Sequence, residues 1–314
     1  MATPPPPFTR LRVETNRDDF VGRLTLARPA KSNAFDAVAW QELERAASVL
    51  AAAALSGRVR AVLLDADGAN FCAGLDLSLL RETLARLEPR RGGGIESSNK
   101  GTNESADKND DGDGDGDDGD DDAGRRERFF GEIRAMQRSI TSLESLPVPV
   151  VAAVSGACVG AGVDLIAAAD VRLCSDDAFF CVKEVDLAIA ADLGSLQRLP
   201  ALVGLSCAAE WAMTARAVTS AEAERRGLVA RRCTDRRALA AEALQAARLL
   251  ASKPPRAMRG TKRALLRARD RPNVAEGLEA IALENMSALS GSRELAEAAK
   301  RAASGGNGAP GSRL

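Results

Sequence analysis

Residues 155–200, SGACVGAGVDLIAAADVRLCSDDAFFCVKEVDLAIAADLGSLQRLP, carry the clearest structural signal in the chain. The short apolar run Val148–Val154 precedes them and predicts a buried strand, after which a glycine-bearing turn leads into a second apolar run ending at Ala169. Val171–Cys174 and Ala178–Val182 are again short and rich in branched or aromatic residues, as strands are. We therefore expect a strand, a turn, a buried helix and two further strands.

The same alternation occurs on the N-terminal side of this stretch. Gly22–Ala27 and Val59–Asp65 are short apolar runs bounded by turn residues, and they predict two more strands. Between them the Ala- and Leu-rich segment Asp36–Leu55 predicts a helix, with Asn33 as a cap near its start. Another helix is expected over Leu77–Leu87. Repeated strand–helix alternation favours an α/β fold.

The C-terminal side has a helical pattern from Gly194 to the end. The expected helices are Leu196–Val203, Ala208–Thr214, Ser220–Arg226, Ala238–Ser252, Pro255–Arg269, Val274–Leu289 and Arg293–Ala303. An α/β body followed by helices predicts a main domain over residues 9–205, a helical region over 206–303 and a flexible tail over 304–314.

An acidic segment interrupts the main domain at residues 90–124. Residues 96–123 of this segment hold twelve acidic residues against two lysines, so that stretch carries −10 while the rest of the chain carries +9. With almost no apolar residues it cannot offset its ordering entropy, and we expect it to be disordered. Its Asp and Gly spacing imitates a calcium-binding loop, but Asp118 stands where that loop has an apolar residue, so we favour a solvated spacer. An amphipathic helix over Arg125–Glu144 should follow.

Composition excludes several kinds of chemistry. The chain has no histidine and no tyrosine, which excludes histidine-dependent triads, histidine-ligated metals and tyrosine acids. Its six cysteines form no CxxC pair and lie mostly in apolar runs, which favours free buried thiols. The net charge of −1 does not indicate a nucleic-acid partner. Prolines and glycines interrupt the apolar stretch Leu146–Ala169, so we do not expect a membrane span there. The N-terminal residues lack an apolar stretch after a basic start, so we do not expect a secretory signal.

Two glycine-bearing turns are candidates for binding a developing negative charge. In FCAGLDL, residues 71–77, Gly74 permits a sharp turn after which Leu75 can aim its N–H outward. In the second turn Ala161 lies between two glycines at a helix start, where unbonded N–H groups and the helix dipole favour negative charge. Two such N–H groups facing each other would form an oxyanion hole. The alternative is that both segments are only turns.

Three carboxylates stand in otherwise apolar surroundings: Asp164, Glu184 and Asp192. Burial would raise the pKa of a carboxyl toward neutrality, which suits proton transfer. Structural roles are equally open at this point. Asp192 could cap the next helix, Glu184 could pair with Lys183 or Arg198, and Asp164 could stabilise the N-terminus of its own helix.

Three segments, LARPAKSNAFDAVAWQEL at residues 26–43, FCAGLDL and the 155–200 stretch, together resemble the enoyl-CoA hydratase/isomerase (crotonase) family. The similarity covers about residues 9–300 apart from the acidic insert. It implies a crotonase-like spiral of ββα units and a C-terminal helical region that assembles trimers, usually as a dimer of trimers. It also implies an acyl-CoA thioester substrate, no metal, and no separate cofactor because CoA is part of the substrate.

The resemblance also implies roles for individual residues. The N–H groups of Leu75 and Ala161 would hold the thioester oxygen, although Ala161 stands where the family usually has glycine and so needs a negative φ. Asp164, Glu184 and Asp192 resemble the acids of members that convert a 3,5-dienoyl-CoA to a 2,4-dienoyl-CoA. Asp192 would be the base at carbon 2, Glu184 the proton donor at carbon 6, and Asp164 an auxiliary carboxylate.

The substrate-binding residues follow from the same motifs. They are Lys31, Ala34, Ala73, Gly74, Asp76, Leu77, Gly160 and Gly162. In the CoA-binding element Ser32 replaces a basic residue of the family pattern, which leaves Lys31 as the remaining phosphate-binding cation of that element.

Other activities of the family remain open. Hydratases resemble one another in having Glu at the positions of Asp164 and Glu184, and simple Δ3-Δ2 isomerases use one acid. A hydrolytic relative uses an Asp nucleophile with a histidine, which this chain lacks. A non-catalytic scaffold whose insert recruits a basic partner is a further alternative.

The last three residues, Ser312, Arg313 and Leu314, resemble a peroxisomal targeting tripeptide and follow a Gly- and Ser-containing tail. They predict recognition by a peroxisomal import receptor and a location in a peroxisome or a similar organelle.

Overall fold

The computed structural model describes residues 6–87 and 118–289, together with 295–297 and 299–300. Its strands are β1 (Leu11–Thr15), β2 (Val21–Leu26), β3 (Ala61–Ala66), β4 (Val150–Val154), β5 (Ala157–Val159), β6 (Val171–Ser175), β7 (Phe179–Cys181), β8 (Val218–Thr219) and β9 (Arg231–Cys233). Its α-helices are α1 (Ala37–Leu55), α2 (Leu77–Leu87), α3 (Asp118–Glu144), α4 (Ala161–Ala167), α5 (Ser195–Val203), α6 (Leu205–Thr214), α7 (Ser220–Arg226), α8 (Arg236–Ala251), α9 (Pro255–Asp270) and α10 (Val274–Leu289). Short 3-10 helices span Pro29–Lys31 and Glu184–Leu187.

The larger sheet has the strand order β1-β2-β3-β4-β6-β9, antiparallel between β1 and β2 and parallel elsewhere. Both of its faces are covered. Because side chains alternate along a strand, Val62 and Leu64 of β3 enter one apolar cluster with α1 and α3, while Ala61 and Leu63 enter a second cluster with α8. Parallel strands buried on both faces explain the nearly continuous apolar runs of the sequence.

A second, short sheet has the order β5-β7-β8. Two isolated parallel β-bridges, Phe35–Leu75 and Cys72–Cys158, join segments outside this sheet. A strand of the larger sheet, a short strand and then a helix recur as β4-β5-α4 and β6-β7-α5. The expected α/β fold and its ββα units are therefore confirmed.

Most predicted elements are present, with boundaries shifted by a few residues. The helices predicted at Leu77–Leu87, Ser220–Arg226 and Val274–Leu289 begin and end where expected. The prediction that the chain is helical throughout after Gly194 is wrong, because β8 pairs with β7 and β9 pairs with β6. These strands, like β5 inside the supposed turn, are two or three residues long and have no periodicity to detect.

Two predictions at helix starts are also wrong. Asp36, not Asn33, caps α1 by accepting a hydrogen bond from the Ala39 N–H at 2.9 Å, while Asn33 is buried and donates to the Asp67 and Asn70 carbonyls. The expected disorder over 90–124 fails for its last seven residues, since α3 begins at Asp118. Acidic residues are favourable in the first turn of a helix because they face its positive dipole end.

Several predictions lie outside the described residues. They concern most of the acidic insert with its calcium-like spacing, the tail with Ser312, Arg313 and Leu314, and about half of the predicted helix Arg293–Ala303, whose described residues 295–297 and 299–300 are helical. In the described part of the chain, no helix has the length and apolar content needed to cross a membrane. The six cysteines are free thiols, and all but Cys207 are buried, as predicted.

Among the C-terminal helices, α8 packs against the larger sheet through apolar side chains, and α9 is attached through a polar one. Lys262 of α9 is buried, donates to the Val148 carbonyl at 3.1 Å and pairs with Asp170 at 2.8 Å. Helix α10 packs against α9. Its apolar side chains Val274, Leu278, Leu283 and Met286 are exposed in the single chain.

Candidate active site

The first two motif segments lie side by side. The Ala73 N–H donates to the Ser32 carbonyl at 2.9 Å, the Phe35 N–H to the Gly74 carbonyl at 2.8 Å, and the Asp76 N–H to the Phe35 carbonyl at 2.9 Å. Backbone hydrogen bonds thus join the segment predicted to bind CoA to the segment predicted to hold the thioester oxygen.

The second glycine turn packs against the first. The Cys72 N–H donates to the Ala157 carbonyl and the Val159 N–H to the Cys72 carbonyl, both at 2.9 Å. A Cβ built on Gly74 would lie 3.1 Å from the Val159 oxygen, and one built on Gly162 would lie 2.9 Å from the Cys72 Cβ. The close approach of the two turns therefore requires glycine at both positions.

Leu75 and Ala161 follow positive-φ glycines in these turns: Gly74 has φ +96° and Gly160 has φ +52°. Neither the Leu75 N–H nor the Ala161 N–H donates a hydrogen bond to another group in the described part of the chain. A Cβ on Gly74 would lie 3.9 Å from the Ala161 nitrogen, so the two turns are close neighbours. Ala161 is not among the residues with positive φ, as its side chain requires. Such a pair of unbonded N–H groups has the composition of an oxyanion hole.

Asp164 is fully buried in the first turn of α4. Its Oδ1 accepts hydrogen bonds from both the N–H and the hydroxyl of Ser195, each at 2.6 Å, while its Oδ2 has no hydrogen-bond partner in the described structure. Burial raises the pKa of Asp164 to about 6, and the two bonds from Ser195 oppose that rise.

Glu184 begins the 3-10 helix that follows β7 and lies against the second glycine turn. A Cβ built on Gly160 would be 3.3 Å from Glu184 Oε1, and Oε2 is buried with no hydrogen-bond partner in the described structure. Burial, followed by the nearby charge of Asp164, raises the pKa of Glu184 to about 7. At neutral pH Glu184 can therefore hold a proton and release it, as a general acid must.

Asp192 lies in the loop before α5, and its main-chain carbonyl accepts a 2.7 Å hydrogen bond from the Gln137 side chain of α3. Partial burial raises its pKa above the ordinary value. Its charge also raises the pKa of both Asp164 and Glu184, so the three carboxylates lie within electrostatic reach of one another. The sequence placed them 20 and 8 residues apart, and the fold brings them together.

The structural alternatives left open by the sequence do not account for Asp192 and Glu184, whereas Asp164 does lie in the first turn of its own helix, as one alternative expected. Gly194 occupies the N-cap of α5 without a side-chain cap, so Asp192 does not cap this helix. Lys183 pairs with Asp186, and Arg198 pairs with Glu144 at 2.9 Å, rather than either pairing with Glu184.

The remaining predicted substrate-binding residues fall into two groups. Lys31, Ala73 and Leu77 are exposed, whereas Ala34, Gly74, Gly160 and Gly162 are half-buried or buried beside them. Asp76 is held in place by hydrogen bonds that it accepts from the Ser78 N–H at 2.9 Å and from Arg28 at 2.5 Å, and these bonds lower its pKa. Its carboxylate thus fixes the start of α2 and ties it to the first motif.

Sequence reasoning missed Ser195, Arg28 and Gln137. Ser195 follows Gly194 at a helix start, a position where serine often serves as a cap, and this signal could have suggested a polar role. Arg28 and Gln137 contact Asp76 and Asp192 across 48 and 55 residues, so no local pattern indicates them.

A family profile described as enoyl-CoA hydratase/isomerase matches residues 123–295 of the chain. Individual relatives match a longer part of the chain than this profile does. A peroxisomal Δ3,5-Δ2,4-dienoyl-CoA isomerase of Arabidopsis thaliana is 37% identical over 277 residues, 88% of each protein. The chain belongs to the enoyl-CoA hydratase/isomerase family. A mitochondrial protein of the same name from Homo sapiens is 37% identical over 284 residues, 90% of this chain and 76% of the human protein.

Solved structures of family members agree with the fold. One from Streptomyces coelicolor A3(2), described as an enoyl-CoA hydratase, has a TM-score of 0.76 and 27% identity, and the match covers 96% of this chain and 94% of that one. Another, an enoyl-CoA hydratase from Thermobifida fusca YX in complex with CoA, has a TM-score of 0.69 and 28% identity over 92% of this chain and 95% of that one. Each match thus extends over most of this enoyl-CoA hydratase/isomerase family member.

Proposed function

We propose that this family member isomerises a 3,5-dienoyl-CoA to a 2,4-dienoyl-CoA in the β-oxidation of unsaturated fatty acids. The observation that carries the proposal is the meeting of the buried Asp164, the half-buried Glu184 and the more exposed Asp192 at a pair of unbonded backbone N–H groups. The pKa values of Asp164 and Glu184 are raised to about 6 and about 7. The identity of 37% to two proteins named as dienoyl-CoA isomerases supports it.

The first step uses Asp192 and the two turns. Ionised Asp192 removes a proton from carbon 2, next to the thioester carbonyl. The electron pair of the broken C–H bond spreads over the conjugated chain to the thioester oxygen. The N–H groups of Leu75 and Ala161 stabilise the resulting negative charge, and one such donor contributes about 3–4 kcal/mol to the transition state.

The second step uses Glu184. The electron pair returns through the diene and takes the proton of Glu184 at carbon 6, so the double bonds move from carbons 3 and 5 to carbons 2 and 4. Asp192 ends protonated and Glu184 ionised, and proton exchange restores both before the next turnover. No group beyond the substrate's own CoA enters these steps, so we propose no separate cofactor.

Substrate binding involves the neighbouring backbone. A relative was solved in complex with CoA, which supports an acyl-CoA ligand in this fold. We propose that Lys31 contacts the CoA phosphates. Ala34, Ala73, Gly74, Leu77, Gly160 and Gly162 line the path of the thioester, and Asp76 contributes by holding the start of α2.

The test is an assay of the purified chain with a 3,5-dienoyl-CoA, followed by the ultraviolet absorbance of the 2,4-dienoyl thioester that forms. Parallel assays with a trans-2-enoyl-CoA and a trans-3-enoyl-CoA measure hydration and simple Δ3-Δ2 isomerisation. Faster turnover of either of these substrates than of the dienoyl-CoA would contradict the proposal. Turnover of none would favour a non-catalytic scaffold.

We also propose that the chain acts in peroxisomes through Ser312, Arg313 and Leu314. The A. thaliana relative is named as peroxisomal, whereas the human relative is named as mitochondrial. Removing the last three residues should move a fluorescent fusion to the cytosol in cells without full-length subunits, while activity in vitro is unchanged. Continued import of the truncated chain would show that this tripeptide is not the address.

A further inference from the structure

Ser195 donates two hydrogen bonds to a single carboxylate oxygen. It is the first residue of α5, it is fully buried, and both its N–H and its hydroxyl donate to Asp164 Oδ1 at 2.6 Å. The contact joins α4 to α5 across 31 residues. Asp164 Oδ2 has no partner in the described structure, so Ser195 also decides which of the two oxygens is left unbonded.

The contact favours the ionised form of Asp164. Hydrogen bonds to a carboxylate stabilise its charge, and the N-terminus of α5 adds the positive end of a nine-residue helix dipole. Arg198, one turn further along α5, acts in the same direction. Burial and the charge of Asp192 oppose ionisation.

Asp164 in turn acts on its other neighbours. Gly160 lies between Asp164 and Glu184: its carbonyl accepts a hydrogen bond from the Asp164 N–H at 3.2 Å, and a Cβ built on it would lie 3.3 Å from Glu184 Oε1. After burial, the charge of Asp164 is the largest cause of the raised pKa of Glu184. A negative Asp164 therefore makes Glu184 keep its proton to higher pH.

We propose that Ser195 is a positioning residue that holds Asp164 ionised and oriented, and that Asp164 thereby keeps Glu184 protonated as the proton donor of the isomerisation. The proposal rests on the function proposed above. It gives Asp164 a defined role, which is to set the protonation of the acid without itself exchanging a proton with the substrate.

The experiment compares the pH dependence of kcat in Ser195→Ala, Ser195→Thr and wild type. Without the hydroxyl, Asp164 takes up a proton more readily, so Glu184 loses its proton at lower pH. The alkaline limb of the kcat profile should move to lower pH by at least ~0.5 unit in Ser195→Ala, with KM nearly unchanged. Ser195→Thr keeps a hydroxyl and should restore the wild-type limb.

Ser220→Ala is the matched control. Ser220 is also buried and also begins a helix, but its hydroxyl donates to the Asp176 carbonyl at 2.8 Å. It should lose a similar amount of stability without moving the pH profile. An unchanged alkaline limb in Ser195→Ala, or an equal shift in Ser220→Ala, would overturn the proposal.

Two further measurements keep the test decisive. If Ser195→Ala does not fold, Ser195→Cys retains the size with a weaker donor and must shift the limb in the same direction. Carboxyl carbon-13 titration of the free protein, without substrate, must show the pKa of Asp164 rising in the variant. If wild type does not isomerise the dienoyl-CoA, the proposed function fails, and this titration still decides whether Ser195 controls Asp164.

Discussion

Glu184 and Asp192 are both carboxylates, yet their surroundings suit them to opposite roles. Glu184 is the more buried of the two and lies beside Asp164, so its pKa rises to about 7. Asp192 is more exposed, and burial alone raises its pKa. The group with the higher pKa holds a proton to donate, and the other is ionised and accepts one.

Replacing either acid should abolish most of the activity. Glu184→Gln and Asp192→Asn should each lower kcat by at least ~10²-fold, because each removes a positioned proton donor or acceptor. KM should change little, since neither replacement alters the oxyanion turns. Steady-state kinetics with a 3,5-dienoyl-CoA measures both values. Asp186→Asn, an exposed acid in the same segment, is the control, and wild-type rates in both test variants would refute the assignment.

Glu184 should also reduce stability above neutral pH. Its pKa is raised by folding from the ordinary 4.5 to about 7, so the folded state loses stability as pH rises through this window. Glu184→Gln should therefore unfold with a free energy about 3 kcal/mol higher than wild type at pH 8, and with a gain below about 1 kcal/mol at pH 5. Urea unfolding at the two pH values measures the difference. A gain independent of pH would point to packing instead.

At the scale of elements, the site depends on how two strand-to-helix turns meet. Gly74 and Gly160 adopt positive φ and bring their turns within van der Waals contact, with a Gly160 Cβ position 3.8 Å from the Gly74 Cα. The same turns carry the N–H groups of Leu75 and Ala161 and place Glu184 beside them. Glycine is needed here for conformation and for space.

Alanine at these glycines should reduce kcat beyond its effect on stability. Gly74→Ala and Gly160→Ala should each lower kcat at least ~10-fold, because the new Cβ would crowd the Val159 oxygen or the Glu184 carboxylate. Gly57→Ala is the matched control: Gly57 has φ +75° and nothing within 4 Å of its Cβ position. Gly57→Ala therefore introduces the same backbone strain as the other two variants but no new contact. Equal kcat in all three variants, after correction for unfolded protein, would contradict the role of the turns.

At the scale of the whole molecule, α10 carries large apolar side chains that the single chain does not cover. Leu278 and Leu283 are 63% and 57% exposed, and Val274 and Met286 are exposed too. Several exposed large apolar side chains on one ordered helix mark an interaction surface. The family resemblance implies a trimer or a dimer of trimers, and we propose that α10 contributes to that assembly.

Charged substitutions on α10 should break the assembly. Leu278→Glu combined with Leu283→Glu should convert the oligomer into monomers, because burying two carboxylates in an apolar contact is unfavourable. Light scattering coupled to size-exclusion chromatography measures the mass. Glu44→Lys, an exposed change on α1, should leave the mass unchanged. A monomeric wild type, or an oligomeric double variant, would contradict the proposal.

The sequence by itself determined the α/β class, the larger helices and the candidate acids and turns. Runs of helix-forming residues bounded by turn residues are a local signal, so α2, α7 and α10 could be delimited from the sequence. The identities of Asp164, Glu184 and Asp192 were also visible, because a charge inside an apolar run is unfavourable unless it has a function or a partner.

Only the tertiary structure decided how those residues work together. Strands β5, β8 and β9 exist because partners distant in sequence supply their hydrogen bonds, and no local preference specifies so short a strand. The pKa of Glu184 depends on burial and on Asp164, which depends in turn on Ser195 at the start of another helix. Electrostatic energies follow distance and solvent exposure rather than spacing along the chain, so these dependences arise only when the chain is folded.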